Sequence, residues 1–294
     1  MQTLISLTVI ALLAAATPAR TQDTPVLEQL AAYNVVWDSP SQDCNGSMPI
    51  GNGDLAANVW VEPNGDLLFY LSKSDAWSSG QELLKLGRVR VRLDQPFVRA
   101  GSVFKQTLDL KTGTIRIQST TNSQQTDIHF WIDANRPVVN VQIKGAEAFT
   151  ALVALEHWPK ETWATPKKSK ANTAKDDSKA LRGDTILPAE DNTIRWYYRN
   201  TESIFADTLK KQHLGHAVEK FHDPLLNLTF GGLIAGEGLV AKDDRTLTTA
   251  APVKSLDIRI HALTAQTPEP AAWVSQLGAL RATNDKVTAA EARP

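Results

Sequence analysis

The sequence predicts a mainly β protein in which large antiparallel sheets pack as a sandwich, with one short helical segment near the C-terminus. Three observations predict it. Apolar residues recur with a period of two over most of the chain, the pattern of strands with one buried and one wet face. Turn residues interrupt that alternation at short intervals, which suits antiparallel strands in series. A helical period emerges only after Thr267-Pro268-Glu269-Pro270. The strands are too many for an immunoglobulin-sized unit, so two large sheets are expected.

In chain order, the first segment reads as a secretory leader. Leu4 to Ala16 is apolar but too short to span a bilayer, and Thr17-Pro18-Ala19 precedes a plausible cleavage point. Residues 1–19 are therefore expected to be a signal peptide, and the mature chain to be exported, periplasmic or extracellular. Next comes "MPIGNGDLAANVWVEPNGDLLFYL", residues 48–71. Gly51 and Gly53 allow a tight corner. Leu55–Glu62 and Asp66–Leu71 then pair as a hairpin, with a type I′ turn expected at Asn64-Gly65.

Further strands follow from alternation. Val89, Val91 and Leu93 alternate with Arg88, Arg90 and Arg92; Ile115 and Ile117 with Arg116 and Gln118. Ile128, Phe130 and Ile132 alternate with His129 and Trp131; Val139, Val141 and Ile143 with Asn140 and Gln142; Ile258 and Ile260 with Arg259 and His261. In each set the polar partners are expected on a wet face. Residues 159–184 are lysine-rich, polar and unperiodic, the composition of a long solvated loop. At the end, Trp273, Leu277 and Leu280 recur at helical spacing. Helix is expected within 268–290, its apolar stripe folding back, fraying or pairing with a second copy.

Composition limits the functions available. The chain of 294 residues carries 31 Lys+Arg against 32 Asp+Glu, a formal net charge of -1, which gives no electrostatic basis for binding nucleic acid or an anionic membrane. Cys44 is the only cysteine, so an intrachain disulfide and a cysteine-based zinc site are excluded. Its Asp-Cys-Asn-Gly setting reads as an incidental loop position rather than a reactive thiol.

No catalytic signature is present: the chain lacks G-x-S-x-G, H-E-x-x-H, a P-loop and G-x-G-x-x-G. Gly51-Asn52-Gly53 precedes a strand rather than a helix, unlike a phosphate cradle. His213, His216 and His222 match no standard ligand spacing, so no metal and no cofactor are expected. Asp54, Glu62, Asp66, Asp75 and Glu82 are carboxylates of the kind glycoside hydrolysis uses in pairs, but turns favour Asp anyway. Trp60, Trp77, Trp131, Trp158 and Trp196 could stack on sugars, while a large sandwich also needs bulky core residues.

"MPIGNGDLAANVWVEPNGDLLFYLSKSDAW" followed by "LLKLGRVRVRL" resembles the N-terminal β-domain of proteins related to family 95 glycoside hydrolases. The matching residues are Trp37, Pro49 to Gly53, Asp75 and Trp77. "DPLLNLTFGGLI", Asp223 to Ile234, is similar to a later motif of a branch whose N-terminal region is a domain of unknown function, DUF5703. The resemblance runs from about Val35 to the end. It implies a β-super-sandwich over residues 25–265 and the start of a helical linker over 266–294, leading in that family to an (α/α)6 barrel. The family's catalytic carboxylates lie in the barrel, so no catalytic residue carries over. Asp54-Leu55-Ala56 stands where the family's α-L-fucosidases have Arg-Leu-Gly, which departs from fucose specificity.

The expectation is thus a non-catalytic domain of an exported carbohydrate-active protein, truncated or split from its barrel and inactive alone. Asn52, Asp54, Lys73, Asp75 and Trp77 are expected to face carbohydrate or the missing barrel, the two expected partners. A stand-alone carbohydrate-binding module and a self-sufficient glycosidase remain open.

Overall fold

The computed structural model describes residues 28–156 and 183–287. The expected leader, Trp158 and nearly all of the polar segment 159–184 lie outside the described residues. The strands in chain order are β1 (Val35–Trp37), β2 (Met48–Gly51), β3 (Leu55–Val61), β4 (Leu67–Trp77), β5 (Leu83–Leu93), β6 (Val103–Asp109), β7 (Thr114–Thr121) and β8 (Gln124–Ile132). They continue as β9 (Val138–Phe149), β10 (Ala151–Glu156), β11 (Thr185–Ile186), β12 (Ile194–Arg199), β13 (Leu228–Gly236), β14 (Leu239–Asp243), β15 (Thr246–Thr249) and β16 (Val253–Gln266). Helix α1 spans Phe205–Lys211 and α2 spans Pro270–Asn284.

Two antiparallel sheets result, as the alternation predicts. One has nine strands in the order β1-β6-β7-β8-β9-β16-β13-β12-β11; the other has seven, β14-β15-β10-β5-β4-β3-β2. Their facing sides form the core. Val89, Val91, Val139, Val141, Ile143, Ile258 and Ile260 are all buried there. Phe69 of β4 meets Phe130 of β8 edge to face at 5.0 Å. Two side chains also tie the sheets by hydrogen bonds to opposite backbones. Trp196 Nε1 donates to Leu86 O at 2.6 Å, and Gln106 Nε2 to Val59 O at 3.2 Å.

The glycine pair in "DPLLNLTFGGLI" has a packing cause. A Cβ on Gly231 would sit 2.1 Å from Trp196 O, and one on Gly232 would sit 2.8 Å from the Trp196 ring. Glycine within a strand marks such close approach.

The hairpin pairs as expected, but its turn differs. Gly65 alone has positive φ, at 86°, and its N–H donates to Glu62 O at 2.8 Å. Pro63 fixes the first central position near −65°, which type I′ forbids and type I prefers. The loop is therefore a type I turn with Gly65 in the left-handed position that follows it.

The outer faces are drier than alternation suggests. On the seven-stranded sheet, Arg90 pairs with Glu62 at 3.0 Å, with Asp66 at 2.7 Å and with Glu156, while Arg92 reaches Asp66 at 2.7 Å. Burial would raise the Asp66 pKa, but the hydrogen bonds and charges of Arg92 and Arg90 outweigh it and hold the carboxyl below its ordinary value. On the nine-stranded sheet, Asn140 and His261, both expected wet, are buried, as is Trp131 beside them.

Helix α2 is one cause. Its stripe folds back onto the outer face of the nine-stranded sheet. Trp273 and Leu277 are fully buried against Leu233 and Ala235, with Tyr197, Leu263 and Ala265 around them. Each such side chain contributes about 1.5–3 kcal/mol on burial. Fraying and pairing with a second copy are thereby set aside for this stripe. The alternation gave no sign of α1, which sits in the long β12–β13 connection.

Candidate functional site

The corner that opens β3 is built from Asn52. Its Oδ1 accepts from the backbone N–H of Asp54 at 3.0 Å and of Leu55 at 2.8 Å. Gly53 takes φ 92°, which the Asn52 turn requires. The Asn52 amide donates to Asp133 O at 2.8 Å and Arg136 O at 3.2 Å, in the β8–β9 loop of the opposite sheet. Asn52 is thus a staple between the sheets.

The corner presents Asp54 to Lys73. Lys73 lies on β4 opposite Leu55, the first residue of β3. Its side chain is 8% exposed, and its Nζ lies 2.7 Å from Asp54 Oδ1 and 3.0 Å from Asp75 Oδ1. Both carboxylates are close to half exposed. A buried ammonium needs such partners. The result is two acceptor groups fixed at the rim by a cation beneath them.

Trp77 completes the row at the end of β4 and is 40% exposed. Its N–H is used on Ser74 O at 3.1 Å, so the indole offers solvent mainly apolar ring. Of the five expected residues, the fold brings Asp54, Lys73 and Asp75 into contact, places Trp77 two residues beyond Asp75, and turns Asn52 inward. Of the other tryptophans of the described residues, Trp60, Trp131, Trp196 and Trp273 are buried and Trp37 is half-buried against the core.

Sequence reading missed Asn200. Its amide donates to Trp77 O at 2.9 Å and to Leu225 O at 3.0 Å, holding the β12–β13 connection against the Trp77 end. That connection exposes Ile204, Leu214, Phe221 and Leu226, and Leu83, paired with Trp77, is also exposed. An isolated Asn before a turn carries no signal of this role. His213, His216 and His222 lie in the same connection; among the described residues no group of three or more His, Cys, Asp or Glu is placed to hold a metal ion. Also among those residues, no helix is long and apolar enough to cross a membrane.

Comparison with known proteins adds the following. The model of a family described as a domain of unknown function, DUF5703 (N-terminal part), matches residues 36–293. No curated protein matches the sequence. Among solved structures, one described as a candidate kojibiose phosphorylase from the human microbiome is similar with a TM-score of 0.47 and 10% identity, over 88% of this chain and 36% of that one. The chain therefore spans about a third of that protein's length.

Proposed function

The chain belongs to the DUF5703 N-terminal domain family, and on that premise we propose that it is the non-catalytic β-sandwich domain of an exported carbohydrate-active protein, with the Lys73 end as its sugar-facing surface. The observation that carries this reading is the Lys73 clamp beside Trp77. Two half-exposed carboxylates are held in place as acceptors for hydroxyl groups, next to an exposed indole. Sugars present the complementary pair of features, hydroxyl donors on an apolar ring face. The resemblance of residues 48–77 to family 95 glycoside hydrolases supports the same class.

The non-catalytic part of the reading rests on the use of those carboxylates. Glycoside hydrolysis needs one carboxylic acid as proton donor and a second carboxylate. Asp54 and Asp75 instead both pair with one ammonium. A second reading, in which this end docks on an (α/α)6 barrel, is favoured by the exposed Ile204, Leu214, Phe221 and Leu226 beside it.

A glycan array probed with the purified chain, its Trp77→Ala variant and its Asp75→Ala variant tests the proposal. Binding that both substitutions abolish supports a sugar-facing end; no binding to any glycan favours the docking reading. Export is tested separately by mass spectrometry of the mature protein, where an intact leader counts against it.

A further inference from the structure

A second polar recess shares no residue with the Lys73 end. It is a cleft of about 400 Å³ on the outer face of the nine-stranded sheet, beside the C-terminal end of α2. Its floor is a single cross-strand row. Trp131 of β8 pairs with Asn140 of β9, Asn140 with Arg259 of β16, and Arg259 with Ala235 of β13. The small Ala235 and Gly236 leave depth at one end, and Trp131 stands at the other. Arg281 and Asp285 of the α2 end form one wall, and Glu237 and Asp257 line the rest.

Asn140 is the informative residue. It is 4% exposed, and its Nδ2 has no hydrogen-bond partner. Native proteins rarely leave a buried amide unpaired, because the lost hydrogen bonds are not replaced. A carboxamide can present either its oxygen or its nitrogen after a half-turn, so it can serve a donor or an acceptor. The cleft offers both kinds of group elsewhere. Arg281 uses Nε on Asp285 at 3.2 Å, and Asp257 accepts from Gln142 through one oxygen at 2.8 Å. The terminal nitrogens of Arg281, the second oxygen of Asp257 and the exposed Glu237 carboxylate remain for a ligand.

The charges in the lining nearly cancel: Arg259 and Arg281 face Glu237, Asp257 and Asp285. A multiply charged anion or cation therefore has no field to favour it. Interleaved donors and acceptors suit groups that both donate and accept, which is the property of hydroxyls. The volume falls in the range of about 300–1,000 Å³ typical of small-molecule sites. We propose that this cleft is a binding site for a neutral polyhydroxylated ligand, one or two sugar residues in size, anchored on Asn140 and Glu237. The inference is independent of the sugar-facing role of the Lys73 end, since the two sites share no residue.

The test is ligand-observed saturation-transfer NMR with D-glucose, D-galactose, D-xylose and their β-linked disaccharides, on the full chain. Inorganic phosphate is included as an anionic probe. Three proteins separate the sites: Trp77→Ala alone, and Trp77→Ala combined with Asn140→Leu or with Glu237→Ala. Glu237 is an exposed turn residue, so its variant keeps the fold, and thermal melting verifies this for all three. The expected result is saturation transfer to at least one sugar in Trp77→Ala, where the Lys73 end is disabled, weakened about tenfold or more when Asn140→Leu or Glu237→Ala is added, the loss of roughly one charged or buried hydrogen bond. In the Trp77→Ala background, binding that survives both cleft substitutions, transfer to no sugar, or a response to phosphate alone overturns the proposal.

Discussion

Acid should loosen helix α2 through one histidine. His261 on β16 is completely buried beneath the end of the helix. Its Nδ1 lies 3.4 Å from Asn284 Nδ2, and its Nε2, without a hydrogen bond, lies 3.7 Å from Asp285 Oδ1. Burial pushes the imidazole pKa down to about 4, with Arg259 and Arg281 adding to the effect and Asp285 opposing it. In the unfolded chain the same ring titrates near 6.5. A base whose pKa is depressed on folding is protonated first in the unfolded state. Its contribution is therefore complete above about pH 6.5 and is lost progressively down to about pH 4. A gap of about 2.5 units, at about 1.4 kcal/mol per unit, corresponds to about 3 kcal/mol. That is a large share of the roughly 5–15 kcal/mol typical of a domain. Urea unfolding across this pH window, for wild type and His261→Gln, measures it, and hydrogen exchange over residues 270–284 locates it. The wild type should lose about 3 kcal/mol more than the variant, with α2 amides losing protection first. Parallel stability curves for the two proteins would refute the linkage.

Three further outcomes are expected. Trp273→Ala should cost about 3–5 kcal/mol, the range for emptying a buried aromatic site, and trimming the chain after Ala265 should lower stability and promote association, because Leu233 and Ala235 lose their cover; differential scanning calorimetry and sedimentation velocity check both. Gly231→Ala should be among the most damaging single substitutions, above about 3 kcal/mol or insoluble, since the new methyl meets Trp196 O at 2.1 Å; denaturant midpoints decide it. The isolated chain should release no chromophore from aryl α-L-fucosides or galactosides above background, and turnover abolished by Asp75→Ala would overturn the non-catalytic reading.

Much of the fold was legible because period-two alternation reports a sheet face directly. Val89-Arg90-Val91 and Ile258-Arg259-Ile260 read correctly on their inner sides. Alternation says nothing about what covers the other side, so Arg90, Asn140 and His261 were placed in water when the fold pairs or buries them. The turn at Pro63-Asn64-Gly65 departs from the type I′ that Asn-Gly suggests because the proline before the pair sets the first central φ negative. In the candidate site, Lys73, Asp75 and Trp77 were found together because they lie on one strand within a motif. Asn200 was not, because its role depends on a contact 123 residues away. The floor of the outer-face cleft escaped for the same reason, being assembled from the β8–β9 hairpin, β13 and β16, three stretches that are distant in sequence.

The position of β16 shapes how the molecule is made. The last strand of the described residues does not sit at an edge but enters the middle of the nine-stranded sheet, between β9 and β13. Until Val253–Gln266 has emerged, β9 has no partner on one side. At a synthesis rate of about 5–20 residues per second, roughly a hundred residues separating β9 from β16 leave that edge open for about 5–20 s. Val139, Val141 and Ile143 stand along it, a strand of the kind that recruits other chains when unpaired. The sheet is therefore completed from the inside and late, by contacts of high sequence separation that form slowly. A nascent chain of this topology is safest in the company of a holdase, and substitutions in β16 will show first as lost yield rather than as a lowered melting point.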